Sequence, residues 1–171
     1  MDAGDELVDV VDEQDMVVGV ASRRQMRAGR LRHRTVFVIV RRSDGRLLVH
    51  RRAEWKDVWP GLWDLAAGGV VARGESYEEA ARRELAEELG IVAVPPEVLG
   101  RGEFDDPAVS ELATIFEVTW DGPVRFADGE VVEARWVTVG ELQGMLREHV
   151  FVPDSLVLVL PFAQSDPGSR R

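Results

Sequence analysis

The stretch from Gly69 to Ile91, GVVARGESYEEAARRELAEELGI, decides how the rest of this chain is read. Ser76 and Glu79 stand in the S-x-x-E spacing of a capping box, in which each side chain satisfies a backbone donor at a helix start. Tyr77 to Leu89 then holds no Pro, Gly or β-branched residue and is rich in Ala, Glu, Arg and Leu. Gly90 is the C-terminal stop. Along that helix Glu84, Glu87 and Glu88 fall within an arc of about 100°. Ala81, Leu85 and Leu89 occupy an adjoining arc that would face the core. With Glu75 in the preceding loop, Glu84, Glu87 and Glu88 make a set of four glutamates around the loop and the helix that follows it. Like charges one turn apart destabilise a helix by a few tenths of a kcal/mol per pair, and a bound divalent cation would offset that cost.

Hard oxygen donors of this kind suit Mg²⁺, with Mn²⁺ as a substitute, and Mg²⁺ is commonly held by a few carboxylates together with substrate phosphates. Gly68, Gly69 and Gly74 would let backbone groups approach a metal or phosphate closely. A solvated acidic helix face, with Arg82 and Arg83 as ordinary ion-pair partners, is the plain alternative for three glutamates alone.

The full spacing goes further. Gly69, Glu75, Arg83, Glu84, Leu85, Glu87, Glu88, Gly90 and Ile91 spell G-x5-E-x7-R-E-U-x-E-E-x-G-U, with U aliphatic. This resembles the Nudix box at every position, and a chance match in a chain of this length is of order one in a million. The resemblance implies an α+β fold, an α/β/α sandwich with a mixed β-sheet between helices, over roughly Leu31 to Leu146. It implies hydrolysis of a nucleoside diphosphate linked to another moiety, a small-molecule diphosphate substrate cut at a phosphoanhydride by water. Carried over, Glu87 and Glu88 look like Mg²⁺ ligands, Glu84 like a ligand or the base, and the Gly69 carbonyl like a further ligand. Arg83 and Glu75 would pair to fix the loop against the helix. The chemistry would be metal-assisted substitution at phosphorus.

Outside the box, His33-Arg34, LLVHRR at Leu47 to Arg52 and Trp59-Pro60-Gly61-Leu62-Trp63 resemble isopentenyl diphosphate isomerase, a Nudix-fold enzyme. Glu111 matches an isomerase catalytic glutamate in position. That family's catalytic cysteine and metal-binding histidine are replaced here by Ala67 and Gly69, and the chain has no cysteine. Proton transfer across an allylic system needs an acid and a base on opposite faces. A hydrolase in the isomerase-like branch is therefore expected, with an isomerase or a catalytically idle nucleotide-binding module as the competing readings.

Composition sets the remaining bounds. A chain of 171 residues suits one domain, here 1–164, with 1–30 an added N-terminal hairpin and 165–171 a flexible tail. The net charge of −10 argues against a nucleic-acid partner held by basic surface. Lys56 is the only lysine, and an arginine bias spread over the whole chain fits genomic base composition better than function. Met1 to Asp15 is acidic and lacks the apolar core of a signal peptide. The apolar run around Leu156 to Leu160 is far too short to cross a membrane. A cytoplasmic enzyme, homodimeric by analogy, is expected.

The pass along the chain predicts a hairpin from Glu6–Val11 and Met16–Ala21, one helical turn within 22–34, and a second hairpin from Thr35–Val40 and Arg46–His50. A strand over Trp63–Ala67 feeds the glycine loop. Strands near Val98–Glu103, Leu112–Trp120 and Ala134–Val137 follow, then helices over Val139–Glu148 and Ser155–Phe162. Further site candidates are Glu111 and Glu130 as distal acids, with Glu133 the weaker of the loop pair. Arg51 and Arg52 could clamp a diphosphate. Trp55, Trp59 and Trp63 could stack a base or anchor a loop. His33 reads as a metal-ligand relic or a structural histidine.

Overall fold

The computed structural model describes residues 3–165. Its centre is strand β3 (His33–Arg41), whose residues alternate into two separate cores. Val36, Val38 and Val40 enter one, and Phe37 and Ile39 the other. A strand covered on both faces needs a continuous apolar run, and TVFVIV supplies it. β8 (Ser110–Thr119) lies parallel to β3 along its whole length, from His33↔Glu111 to Arg41↔Thr119. β6 (Ala67–Val70) pairs antiparallel on the other edge, and β7 (Glu97–Asp105) continues the sheet beyond β8.

The second predicted hairpin is a turn between two sheet segments instead. β3 and β4 (Leu47–Arg52) are paired only at Arg41↔Leu47. The turn itself is as expected, with Gly45 at φ 89°. Both edges of β3 are already taken by β6 and β8, so β4 turns away to pair with β5 (Trp63–Asp64) and β9 (Val131–Val137). The single strand expected over Trp63–Ala67 is likewise split, β5 serving β4 and β6 serving β3. Gly68 explains how β6 fits so tightly: a Cβ there would stand 2.0 Å from the Val36 carbonyl oxygen.

Helices cover both faces, which makes the sandwich. α2 (Tyr77–Leu89) lays Ala80, Ala81, Leu85 and Leu89 on the Val36–Val40 side. Its capping box at Ser76 and its left-handed Gly90 (φ 69°) are those the spacing predicts. α3 (Val139–Glu148) covers the opposite face with Leu142 and Met145, joined there by Leu158, Val159 and Ala163. The predicted C-terminal helix starts as a π-helical turn, Ser155–Val159, before the short α4 (Leu160–Ala163).

At the N-terminus β1 (Leu7–Val11) and β2 (Val17–Ser22) form the expected hairpin. It leads into α1 (Arg23–Ala28), a six-residue helix capped by Ser22 and Gln25. Val8, Ala21 and Met26 pack with Val70 of β6, and Arg34 donates to the Asp15 carboxylate at 2.6 Å. The flexible tail expected at 165–171 lies, from 166 onward, outside the described residues. Among those described, no helix is long and apolar enough to cross a membrane.

Candidate active site

The loop before α2 is fastened by one side chain. Arg83 donates to both oxygens of Glu75, each at 2.9 Å, and to the Val70 carbonyl at 3.1 Å. Its Nη1 also reaches Glu84 at 2.7 Å and Glu87 at 3.3 Å. Four acceptor groups on one planar fork is a use lysine could not match. Glu75 in turn accepts from the Ala72 amide at 2.9 Å, so the loop cannot swing away from the helix.

Glu84 and Glu88 turn inward and are buried, whereas Glu87 is exposed. Glu88, only 3% exposed, accepts from the Gly68 amide at 3.2 Å. Glu84 lies against Gly69, where a Cβ would sit 2.3 Å from its Oε1. The glycine of the motif is thus a steric requirement of the carboxylate. Burial pushes the Glu84 carboxyl up against the opposing pull of Arg83. Burial, followed by the Glu84 charge, pushes Glu88 well above the usual carboxylate range. Desolvation together with a neighbouring carboxylate raises a carboxyl in this way.

Among the described residues, no three Asp, Glu or His side chains converge at metal-holding distances; Arg83 bridges Glu84 and Glu87. The donor set still fits a hard divalent cation. It consists of oxygens, it includes two buried carboxyls whose charge a cation would offset, and the absence of a side chain at Gly69 lets the Glu84 carboxyl lie directly against the β6 backbone.

A narrow cleft begins at Gly68 and Gly69 and runs to Glu111 and Asp154. Arg23, Arg27, Arg52, Lys56 and Trp59 contribute to its walls. A neighbouring depression shares Arg23, Lys56, Gly68 and Gly69 with it and is lined by Glu84, Glu87 and Glu130. The acidic helix and the basic cleft are therefore two parts of one surface.

The chain also matches the NUDIX domain model over residues 31–157. The chain belongs to the Nudix family of hydrolases. An uncharacterized Nudix hydrolase of Yersinia pestis is 44% identical over 151 residues, 88% of this chain and 82% of the relative. One from Streptomyces coelicolor is 45% identical over 158 residues, covering 91% and 87%. The crystal structure of DR0079 from Deinococcus radiodurans superposes with a TM-score of 0.76 at 29% identity, covering 93% of this chain and 98% of that one.

On this Nudix scaffold the other sequence candidates separate. Glu130 comes to the box glutamates: it pairs with Lys56, and its charge acts on both Glu84 and Glu88. Glu133 stays on the surface with Arg135 at 2.6 Å and Arg51 at 3.6 Å. Arg52 lines the cleft, donating to the Val58 carbonyl at 3.0 Å, while Arg51 turns outward to Glu54 and Glu133. Trp63 is not available to stack a base. It is 4% exposed, packed against Phe151 and His149, with Arg135 over its ring. Trp59 is the tryptophan in the cleft, and Trp55 is exposed near its rim.

At the inner end, Glu111 is 3% exposed and burial pushes its carboxyl up to about 7, against the pull of Asp154 and Arg27. Asp154 beside it is pushed up to about 9 by burial and by the Glu111 and Asp64 charges. The pair therefore keeps a proton at neutral pH. His33, directly opposite Glu111 in register, is buried, its ring Nδ1 2.9 Å from the Leu31 carbonyl. Burial lowers it to about 4, so it is neutral.

Sequence reading passed over Arg23, Arg27, Lys56, Asp64, Thr35 and Asp154. For Arg23 and Arg27 the only available signal was the basic composition of 22–34. Asp154 stood alone between apolar runs, where a carboxylate has no local partner, and that oddity was readable.

Proposed function

We propose that the chain is a Mg²⁺-dependent pyrophosphohydrolase that cuts a phosphoanhydride in a nucleoside diphosphate linked to another moiety. The observation that carries this is the placement of Glu84 and Glu88, buried against the glycine edge of β6, with Glu84 and Glu87 lining a depression that shares Arg23 and Lys56 with the basic-walled cleft. The Gly69 carbonyl, Glu84, Glu87 and Glu88 would hold Mg²⁺, or Mn²⁺ in its place. Bound there, the cation supplies neutralisation of charge at phosphorus. Arg83 keeps the carboxylates in register, and Glu84 serves as a ligand or takes the proton of the attacking water. Arg52, Arg23 and Lys56 attract and orient the diphosphate. Glu130, already tied to Lys56, adds a further carboxylate at the rim.

The same reading holds the chain to be one Nudix domain over 1–164 with an N-terminal extension at 1–30, cytoplasmic and homodimeric, in the branch that resembles isopentenyl diphosphate isomerase. The isomerase chemistry itself lacks residues: Ala67 is buried and the space over Gly69 is filled by Glu84. The decisive measurement is phosphate release over a panel of nucleoside triphosphates, nucleotide sugars, dinucleoside polyphosphates, coenzyme A and nicotinamide dinucleotides. Activity with Mg²⁺, abolished by EDTA and restored by excess metal, is expected. Metal-independent turnover would sink the mechanism. Conversion of isopentenyl diphosphate to its dimethylallyl isomer would revive the isomerase, and binding without turnover would favour the idle module.

A further inference from the structure

Arg83 secures the loop before α2 at the Glu75 side chain and at the Val70 carbonyl. The segment between those two points is held from the opposite side, by the N-terminal hairpin. Each backbone amide from Val71 to Ser76 has an acceptor, as a loop of fixed shape requires. Val71 donates to the Arg34 carbonyl at 2.9 Å, Ala72 to the Glu75 carboxylate at 2.9 Å, Glu75 to the Ala72 carbonyl at 3.0 Å and Ser76 to Glu79 at 2.8 Å. The two in the middle reach outside the stretch 31–157 that the NUDIX model matches. Arg73 donates to the Leu7 carbonyl at 2.9 Å and Gly74 to the Asp9 carboxylate at 3.2 Å, both on β1.

Asp9 interrupts the apolar run LVDVV, in which Val8 and Val11 are buried. Its side chain is only 13% exposed, with Arg34 Nη1 3.9 Å away. Drawing a carboxylate that far out of water is costly unless it is hydrogen-bonded or paired. The Gly74 amide and the Arg34 charge meet that need. Gly74 stands at φ 75°, the left-handed conformation that glycine takes without strain. Asp9 therefore fixes the amide of the most freely rotating residue in the loop, directly before Glu75. Asp15, in the hairpin turn, makes a second tie on the other side of Glu75. Its carboxylate accepts from the hydroxyl of Tyr77, the first residue of α2, at 3.2 Å, and from Arg34 at 2.6 Å.

We infer that Asp9 is a positioning residue for the box glutamates. By fixing Gly74 it sets where Glu75 stands, Glu75 sets the Arg83 fork, and the fork sets Glu84 and Glu87. This rests on the metal-dependent hydrolase reading and extends it to an element that the Gly69–Ile91 segment does not contain. Arg83 supplies the box with its own counter-charge, while β1 supplies the frame on which the loop backbone is set.

The test uses the full chain and three variants, Asp9→Ala, Asp9→Asn and Tyr77→Phe. Mn²⁺ affinity is read by electron paramagnetic resonance, kinetics with Mg²⁺ on the panel compound that the wild type hydrolyses, and loop motion by amide hydrogen exchange. Asp9→Ala should weaken Mn²⁺ binding and lower kcat about tenfold each, with KM for the diphosphate unchanged. Exchange at the Glu75 and Ser76 amides, whose own acceptors are untouched, should quicken. Asp9→Asn keeps an oxygen for Gly74 and should return all of these to within about twofold of the wild type. Tyr77→Phe, which leaves β1 intact, should repeat the loss in smaller measure. A hairpin that only stabilises the fold would lower the melting temperature of Asp9→Ala and leave Mn²⁺ affinity, kcat and exchange unchanged well below the transition, which would overturn the inference. An Asp9→Asn variant as impaired as Asp9→Ala would tie the effect to charge and not to the Gly74 bond, overturning it as well. Should Asp9→Ala not fold, Tyr77→Phe must still weaken Mn²⁺ binding, or the inference fails. If the wild type binds Mn²⁺ and hydrolyses nothing on the panel, the hydrolase reading fails and the Mn²⁺ affinities decide Asp9 alone. A wild type that binds no Mn²⁺ overturns both.

Discussion

At one end of the cleft, a single run of chain from Gly69 to Glu88 supplies the carboxylates, the arginine that ties them together and the glycine that makes room for them. At the other end, Arg27, Thr35, Asp64, Glu111 and Asp154 come from α1, β3, β5, β8 and the segment before the π-helical turn, and their pairs cross between segments, Arg27 with Asp57 and Glu111 with Asp154. The first region is electrostatically self-supporting: Arg83 alone engages Glu75, Glu84 and Glu87. The second is held by those pairs between residues far apart in the chain. A motif that carries its own counter-charges can be moved between substrates unchanged, whereas a pocket built from five segments can be retuned one residue at a time.

The largest effect expected on breaking this contrast is at Glu88. Glu88→Gln should lower kcat by about a hundredfold to ten-thousandfold in steady-state assays while leaving the fold intact, because the amide has the shape of the buried carboxyl and its oxygen can still accept from the Gly68 amide. Normal turnover in that variant would show that the self-supporting region is not the reaction centre. Gly69→Ala comes next: its methyl would collide with the Glu84 carboxylate, and an ångström of misplacement should cost about a hundredfold in kcat, with a circular dichroism spectrum like the wild type.

The paired arginines offer a finer division. Arg52→Ala should raise KM about tenfold, whereas Arg51→Ala, which touches only surface carboxylates, should change it less than about twofold. Equal effects would mean that the cleft wall has been drawn in the wrong place.

The smallest effect is on stability, at the inner end. The Glu111 carboxyl titrates near 7 in the fold and at 4.5 in a free glutamate. The folded state thus holds its proton more tightly, and this contribution is full at low pH and is lost as pH rises through about 7. Glu111→Gln lacks the titration, so its melting temperature should gain on the wild type by a few degrees between about pH 5 and about pH 8. A constant difference across that range would mean that Glu111 is not desolvated.

Legibility followed the same divide. The box helix, its caps and its glutamate stripe were readable because the caps and the ion pairs of Arg83 with Glu75, Glu84 and Glu87 join residues close in sequence. The strands were readable as elements, but not the departure of β4 from β3, which depends on β6 and β8 having claimed both edges first. Likewise Trp59 and Trp63 are four residues apart in one loop, and nothing local tells that one faces the cleft and the other the core. Arg27 was invisible as a cleft residue because its reach depends on how α1 packs through Met26.

β3 has a consequence for how this chain reaches its structure. Like β4 and β8 it sends side chains into both large cores, and its partner along its full length, β8, arrives only after the box helix and four intervening strands have been made. Closing so long a loop for a parallel pairing is entropically slow. α2 can form early from local contacts, but its apolar stripe has no complete surface to lie on until β3 is in place. The order of assembly therefore runs opposite to the order of reading: the segment most easily recognised in the sequence waits on the pairing that is least local.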